Sequence, residues 1–172
     1  MNELVIRDST TEDLAAIERI YRHWVLESCA SFEIDPPDAA ELGRRRAPML
    51  LAGLPYLCAE IDGRVVGYAY ASMYRPRLAY RFTVEDSIYI DHECAGRGFG
   101  RKLLEALIAV CERGPWRQMI AVIGDSENAA SIALHGKLGF RMVGTFTAVG
   151  WKHGRWVDTV LMQRELRGSI AE

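Results

Sequence analysis

Ala95-Gly96-Arg97-Gly98-Phe99-Gly100-Arg101-Lys102-Leu103-Leu104 sets three glycines between a β-prone run, Thr83 to Ile90, and an amphipathic run with Leu103, Leu104, Leu107, Ile108 and Cys111 on one side. Glycine lets the backbone approach a ligand and adopt positive φ, and the first N–H groups of the following helix have no intrahelical acceptor. Such a loop suits an anion, above all a phosphate. Two better-known phosphate loops are excluded. The dinucleotide fingerprint needs a third glycine where, counting from Gly98, Arg101 stands, and the nucleoside-triphosphate loop needs Gly-Lys followed by Ser or Thr, whereas Lys102 lies between Arg101 and Leu103. Taken alone, the stretch reads equally well as an anion cradle or as an ordinary strand-to-helix connection.

Downstream, Gly114-Pro115 stops the helix, and Met119 to Ile123 is apolar without alternation. That pattern predicts a central strand buried on both faces and parallel to Thr83–Ile90, so strand, helix and strand form one crossover unit. Gly124-Asp125-Ser126-Glu127-Asn128 precedes a helix through about Leu138, closed by Gly139. Two strands follow, roughly Phe140 to Trp151 and Trp156 to Arg164, turning at Lys152-His153-Gly154-Arg155. Upstream, Tyr56–Ile61 and Arg64–Ser72 flank Asp62-Gly63, the signature of a two-residue hairpin turn. A strand at Leu4–Arg7 leads through Ser9-Thr10-Thr11-Glu12-Asp13 into a helix with Leu14, Ile17, Ile20, Tyr21 and Trp24 at helical spacing, a stripe expected to face the core. Pro36-Pro37-Asp38 opens a second helix carrying Arg44-Arg45-Arg46, either a solvated face or a basic patch. The fold class is mixed α/β: a mostly antiparallel sheet with one parallel, splayed strand pair and about four flanking helices.

The 172 residues suit one domain, 1–172, without repeats or linkers. With 21 basic and 23 acidic residues and 49% hydrophobic content, the balance offers nothing to a polyanion, so nucleic acid is not an expected partner. Met1 to Asp8 lacks a basic flank with a long apolar region, and no later run approaches membrane-spanning length. The expectation is a cytoplasmic protein with no membrane partner. Cys29, Cys58, Cys94 and Cys111 are too dispersed for a metal set or a disulfide framework, so reduced thiols and no metal are expected; Cys94 borders the glycine loop.

Several blocks then agree in order and spacing: Tyr21, Phe32-Glu33, Pro36-Pro37, Gly67-Tyr68-Ala69, Thr83-Val84-Glu85, Ser87-Ile88-Tyr89-Ile90, Asn128-Ala129-Ala130-Ser131, Leu134-His135 and Gly150 to Asp158, with Lys137-Leu138-Gly139-Phe140 closing the last helix. Over nearly its whole length the chain resembles the GNAT superfamily of acetyl-CoA-dependent N-acetyltransferases, and within it the phosphinothricin and methionine sulfoximine acetyltransferase branch. One position departs from the family pattern: Ala95 stands where Gln or Arg is usual, and Arg97, Arg101 and Lys102 can supply part of that charge.

The resemblance implies a fold in which the strands at Ile88-Tyr89-Ile90 and Met119–Ile123 splay and admit the pantetheine arm of acetyl-CoA as a surrogate strand. It places the pyrophosphate on N–H groups of Gly96, Arg97, Gly98, Phe99, Gly100 and Arg101, with Asn128 and Ser131 on the other side of the arm. The residues alone leave Asn128 equally well explained as a helix N-cap. Acetyl transfer to an amine needs a neutral amine, an oxyanion donor and a proton for the thiolate. The family reading gives these roles to Glu85 as base, the N–H of Ile88 or a near neighbour, and His135 as acid. Read without it, Glu85 is an exposed or ion-paired strand carboxylate and His135 a surface or packing residue. Ser131 and His135, four apart, lie in no strand-turn-helix elbow, so direct transfer is expected rather than an acyl-enzyme. Phe32, Glu33, Arg75, Arg77, Glu85 and Asp86 are the expected acceptor contacts, the guanidinium forks suiting carboxylate and phosphinate oxygens. The family also implies a homodimer. The implied function is N-acetylation of a small amino acid-like amine; the alternatives are a polyamine or protein N-terminus as acceptor, a non-catalytic acetyl-CoA sensor, and a nucleotide-dependent oxidoreductase, against which the failed fingerprint counts.

Overall fold

In the computed structural model, which describes residues 3–167, the chain forms a seven-stranded sheet with helices on both faces. The strands are β1 (Val5–Asp8), β2 (Tyr56–Ile61), β3 (Arg64–Met73), β4 (Thr83–Ile90), β5 (Gln118–Gly124), β6 (Arg141–Lys152) and β7 (Arg155–Glu165), in the order β1-β2-β3-β4-β5-β7-β6. All neighbours are antiparallel except β4 and β5. The helices are α1 (Leu14–Glu27), α2 (Ala39–Leu51), α3 (Phe99–Glu112) and α4 (Ala129–Lys137). Residues 1–2 and 168–172 of the expected domain lie outside the described residues.

The two cores follow from side-chain alternation. On β2, Tyr56 and Cys58 face α1 and α2, joining Ile17, Ile20, Val25, Leu42 and Tyr68, while Leu57 and Ala59 face α3 with Leu103, Leu104 and Leu107. Asp62 (φ 50°) and Gly63 (φ 76°) make the hairpin turn as expected, and His153 (φ 51°) and Gly154 (φ 72°) repeat it between β6 and β7.

One sequence expectation is corrected. β5 is not buried on both faces: Met119, Ala121 and Ile123 pack under α3, but Val122 is 40% exposed because the sheet opens beside it. The last hairpin enters the sheet through its second strand, leaving the long β6 as an edge, with Phe146, Val149, Trp151 and Trp156 exposed on the pair. No helix among the described residues is long and apolar enough to cross a membrane.

Asp91, just past β4, ties the layers together. Its side chain is fully buried, accepts hydrogen bonds from Arg19 of α1 (2.6 Å) and Arg64 of β3 (2.9 Å), and its backbone N–H donates to Val66 O (2.8 Å). Burial alone would raise its pKa, but the hydrogen bonds of Arg19 and Arg64, the Glu93 N–H and the Arg19 charge hold it below the usual carboxylate range. The folded value is depressed, so this contribution to stability is complete above the unfolded aspartate range and disappears as pH falls through the lowered value. Both guanidiniums are about half exposed and recover water if the pair is broken, so Asp91→Asn should cost about 2 kcal/mol in urea unfolding at neutral pH.

Candidate active site

β4 and β5 pair for only four residues, Thr83↔Gln118 to Asp86↔Ala121, and then diverge. The opening is a cavity of about 270 Å³, walled by Trp24, Ile88, Ile90, Phe99, Val122 and Leu134. Asp91 N–H bonds Val66 O on β3, so by antiparallel alternation the N–H and C=O of Ile88 and Ile90 turn away from β3 and into the opening. The Trp24 indole N–H donates to Ile90 O (2.8 Å). The other wedge groups stand ready for an extended amide-bearing ligand.

At the mouth, Gly96 (φ 75°) and Gly98 (φ 79°) adopt the left-handed region, and Gly98 caps α3 so that the helix's first N–H groups face the cavity rim. The two arginine side chains here make local contacts: Arg97 lies 5.0 Å from the Phe99 ring centroid, and Arg101 Nε donates to Glu105 (2.8 Å). The loop therefore offers an anion its backbone donors and helix end, with the cations as background field. Asn128 Oδ1 accepts from Ser131 N (3.2 Å) and its Nδ2 reaches Gly124 O (3.5 Å), so it caps α4 and also lines the cavity. These backbone donors and the open strand edges fit the pyrophosphate and amide arm of acetyl-CoA. No group of three or more His, Cys, Asp or Glu among the described residues is arranged to hold a metal.

His135 is placed differently from a free proton donor. It is 2% exposed, with Nε2 2.9 Å from Asp86 Oδ2 and Nδ1 2.8 Å from Ser131 O. Nε2 faces the Asp86 carboxyl, and Nδ1 also has the Ser131 hydroxyl at 3.4 Å. Burial pulls its pKa down, but the hydrogen bond and charge of Asp86, with the Ser131 carbonyl, raise it overall. The expected acid thus has both ring nitrogens within hydrogen-bond reach of protein groups. Asp86, expected to touch the acceptor, is buried against this ring on the α3 and α4 side, with Oδ1 unpartnered among the described residues. The reason is alternation: Asp86 follows Val84 and precedes Ile88 on the face under α3, whereas Glu85 faces the other way.

Glu85 is the ionisable group of the opposite side. Burial pushes its carboxyl up to about 7, the Asp86 charge adds to this, and Arg75 opposes it. Arg75 stacks on Tyr74, 5.0 Å from the ring centroid. Arg77 stands exposed before the turn Leu78–Tyr80, and among the described residues no contact joins it to Glu85 or Glu33. Glu33 accepts hydrogen bonds from Tyr21 OH (2.9 Å) and Arg45 Nη1 (2.6 Å), and the charges of Glu33 and Glu85 both act on the half-buried Tyr70. Phe32 lies over Gly150 and beside Gly124, where a Cβ would collide with its ring.

Trp24, Tyr21 and Arg45 were not legible as site residues. The first two share the helical stripe of the core, and Arg45 belongs to an arginine run whose pairing with Glu33 depends on how α2 docks.

Over residues 6–161 the chain matches the family described as Acetyltransferase (GNAT) domain. It is 58% identical to the phosphinothricin N-acetyltransferase of Alcaligenes faecalis over 94% of this chain and 81% of that protein. It is 39% identical to the L-methionine sulfoximine/L-methionine sulfone acetyltransferase of Salmonella typhimurium over 95% of each. The crystal structure of a GNAT superfamily phosphinothricin acetyltransferase from Sinorhizobium meliloti in complex with AcCoA superposes with a TM-score of 0.92 at 47% identity, covering 96% of this chain and 90% of that one.

The charge environment of Glu85 can be read directly. In NMR titration of the side-chain carboxyl, Glu85 should show a midpoint near 7 in the free protein, and Arg75→Gln should raise it by removing the one opposing charge. A midpoint in the ordinary glutamate range of about 4.3 would show that the carboxyl is solvated.

Proposed function

The chain belongs to the GNAT acetyltransferase family, and we propose that it uses acetyl-CoA to acetylate the α-amino group of a small amino acid-like acceptor of the phosphinothricin and methionine sulfoximine or sulfone type. The observation that carries this reading is a desolvated carboxylate, Glu85, on β4 just before that strand parts from β5 to form a cavity whose open strand edges and glycine rim suit the donor.

In this reading Gly96 to Arg101 hold the pyrophosphate, and the Ile88 and Ile90 backbone holds the arm. Bound acetyl-CoA supplies an activated acyl thioester. Glu85, with a pKa near 7, takes a proton from the incoming ammonium directly or through water, which frees the nitrogen lone pair. The nitrogen then bonds to the acetyl carbon, the carbon–sulfur bond breaks as coenzyme A leaves as the thiolate, and the acylated nitrogen loses its second proton to water to give the neutral amide. The Ile88 N–H, turned into the wedge, is the donor for the oxyanion formed on the way. His135 lines the same cavity with its pKa raised by Asp86, and the proton for the thiolate comes from this ring, from water or from the acid form of Glu85. Arg75 provides the charge for an acceptor carboxylate, which disfavours a polyamine. Phe32 and the Glu33–Arg45 pair form the wall beyond it.

Two further assignments belong to this reading. Phe146, Val149, Trp151 and Trp156 are exposed along the β6–β7 pair, an apolar face suited to a second copy of the chain in a homodimer. The four cysteines are buried and free, as suits the reducing cytoplasm.

Thiol release from acetyl-CoA should occur with phosphinothricin, methionine sulfoximine or methionine sulfone and be absent with a polyamine or a peptide N-terminus. Glu85→Gln should lower kcat by about 10²-fold or more while acetyl-CoA affinity stays within about twofold. Acetyl-CoA binding without turnover of any amine would mark a sensor and overturn the reading. Unchanged turnover in Glu85→Gln would remove Glu85 from the mechanism.

A further inference from the structure

The segment between α1 and α2 is held from across the molecule by the tip of the β6–β7 hairpin. Lys152, the last residue of β6, is 4% exposed, and its Nζ donates to Ser31 O (2.5 Å). His153 Nε2 lies 3.3 Å from Ser28 O, and Arg155 reaches both Cys29 Sγ (3.7 Å) and Asp125. The strands leave room for this segment at two glycines: a Cβ on Gly124 would run into Cys29 O, and one on Gly150 into the Phe32 ring. Ala30, between these contacts, lines the donor cavity.

The contact at Ser31 is transmitted onward. Ser31 Oγ accepts from Glu33 N (3.2 Å) and pairs with Tyr21 OH (2.8 Å), which donates to Glu33 Oε1. One buried ammonium thus anchors the residue whose side chain fixes Glu33, with Phe32 between them. Burying an ammonium against a neutral carbonyl costs folding free energy, whereas an apolar side chain of similar length would fill the channel without that cost. The placement makes sense as control of the segment.

We propose that Lys152 is a positioning residue for the acceptor: its ammonium latches segment 28–33 to the β6–β7 hairpin and so fixes Phe32 and Glu33 on the Glu85 side of the sheet. This rests on the assignment of that side to an amino acid-like acceptor. Lys152 touches neither reacting atom, and it acts through Ser31.

Lys152→Met and Lys152→Arg test it, with steady-state kinetics on methionine sulfone and acetyl-CoA and with hydrogen–deuterium exchange of amides 28–33 in the free protein. Lys152→Met should speed exchange in that segment and raise the acceptor KM about tenfold or more, leaving the acetyl-CoA KM within about threefold. Lys152→Arg, which keeps a cationic donor, should recover most of the acceptor KM. An acceptor KM within about twofold of wild type, or equal rises in both KM values, overturns the proposal. If Lys152→Met fails to fold, Lys152→Gln, a shorter neutral donor, must show the same selective rise in acceptor KM, and its absence is equally fatal. A wild-type enzyme inactive on every amino acid acceptor would overturn the acceptor assignment instead, while the exchange data would still report whether the latch exists.

Discussion

The divergence of β4 from β5 after Asp86↔Ala121 is the constraint on which the rest depends. β4 stays paired with β3 to Ile90, and β5 stays paired with β7 to Gly124, so neither strand can close the gap. Backbone polar groups at such an opening must find partners in water, side chains or a ligand. The Trp24 indole satisfies the Ile90 carbonyl, and the remaining inward groups of Ile88 and Ile90 define a slot shaped for another extended chain. The glycine loop gains its purpose from this slot, because α3 begins at the slot's mouth and turns its unpaired N–H groups toward it.

The same strand separates two kinds of acid. Glu85 and Asp86 are neighbours in sequence and point to opposite faces. Asp86 pairs with His135 in the core, whereas Glu85 is desolvated with only the charge of Arg75 in its favour. A carboxyl so placed titrates near 7 and can take and return a proton at working pH. Asp86 works against ionisation of Glu85 while it hydrogen-bonds His135, so one residue shapes both sides of the sheet.

Much of this was legible in the sequence because it depends on local rules. Glycine spacing, the Asp62-Gly63 turn, the apolar run at Met119–Ile123 and the stripe of α1 gave the element order and the parallel crossover. The resemblance singles out Glu85 and Asp86 together, and strand alternation puts these neighbours on opposite faces of the sheet. What the sequence hid depends on docking between distant segments. Trp24 reads as one more core residue until β4 is known to end beneath it. The burial of His135 depends on Asp86, 49 residues away. Lys152 sits in a turn rich in charge and aromatics, and its contact with Ser31 spans 121 residues.

Amide exchange measured residue by residue with NMR, with and without acetyl-CoA, tests the splayed wedge most directly. Binding should slow exchange at Ile88 and Ile90 on β4 and in the glycine loop from Gly96 to Arg101, with little change along the closed ladder from Thr83 to Asp86. Protection confined to other surfaces, with Ile88 and Ile90 exchanging as fast as in the free protein, would contradict it.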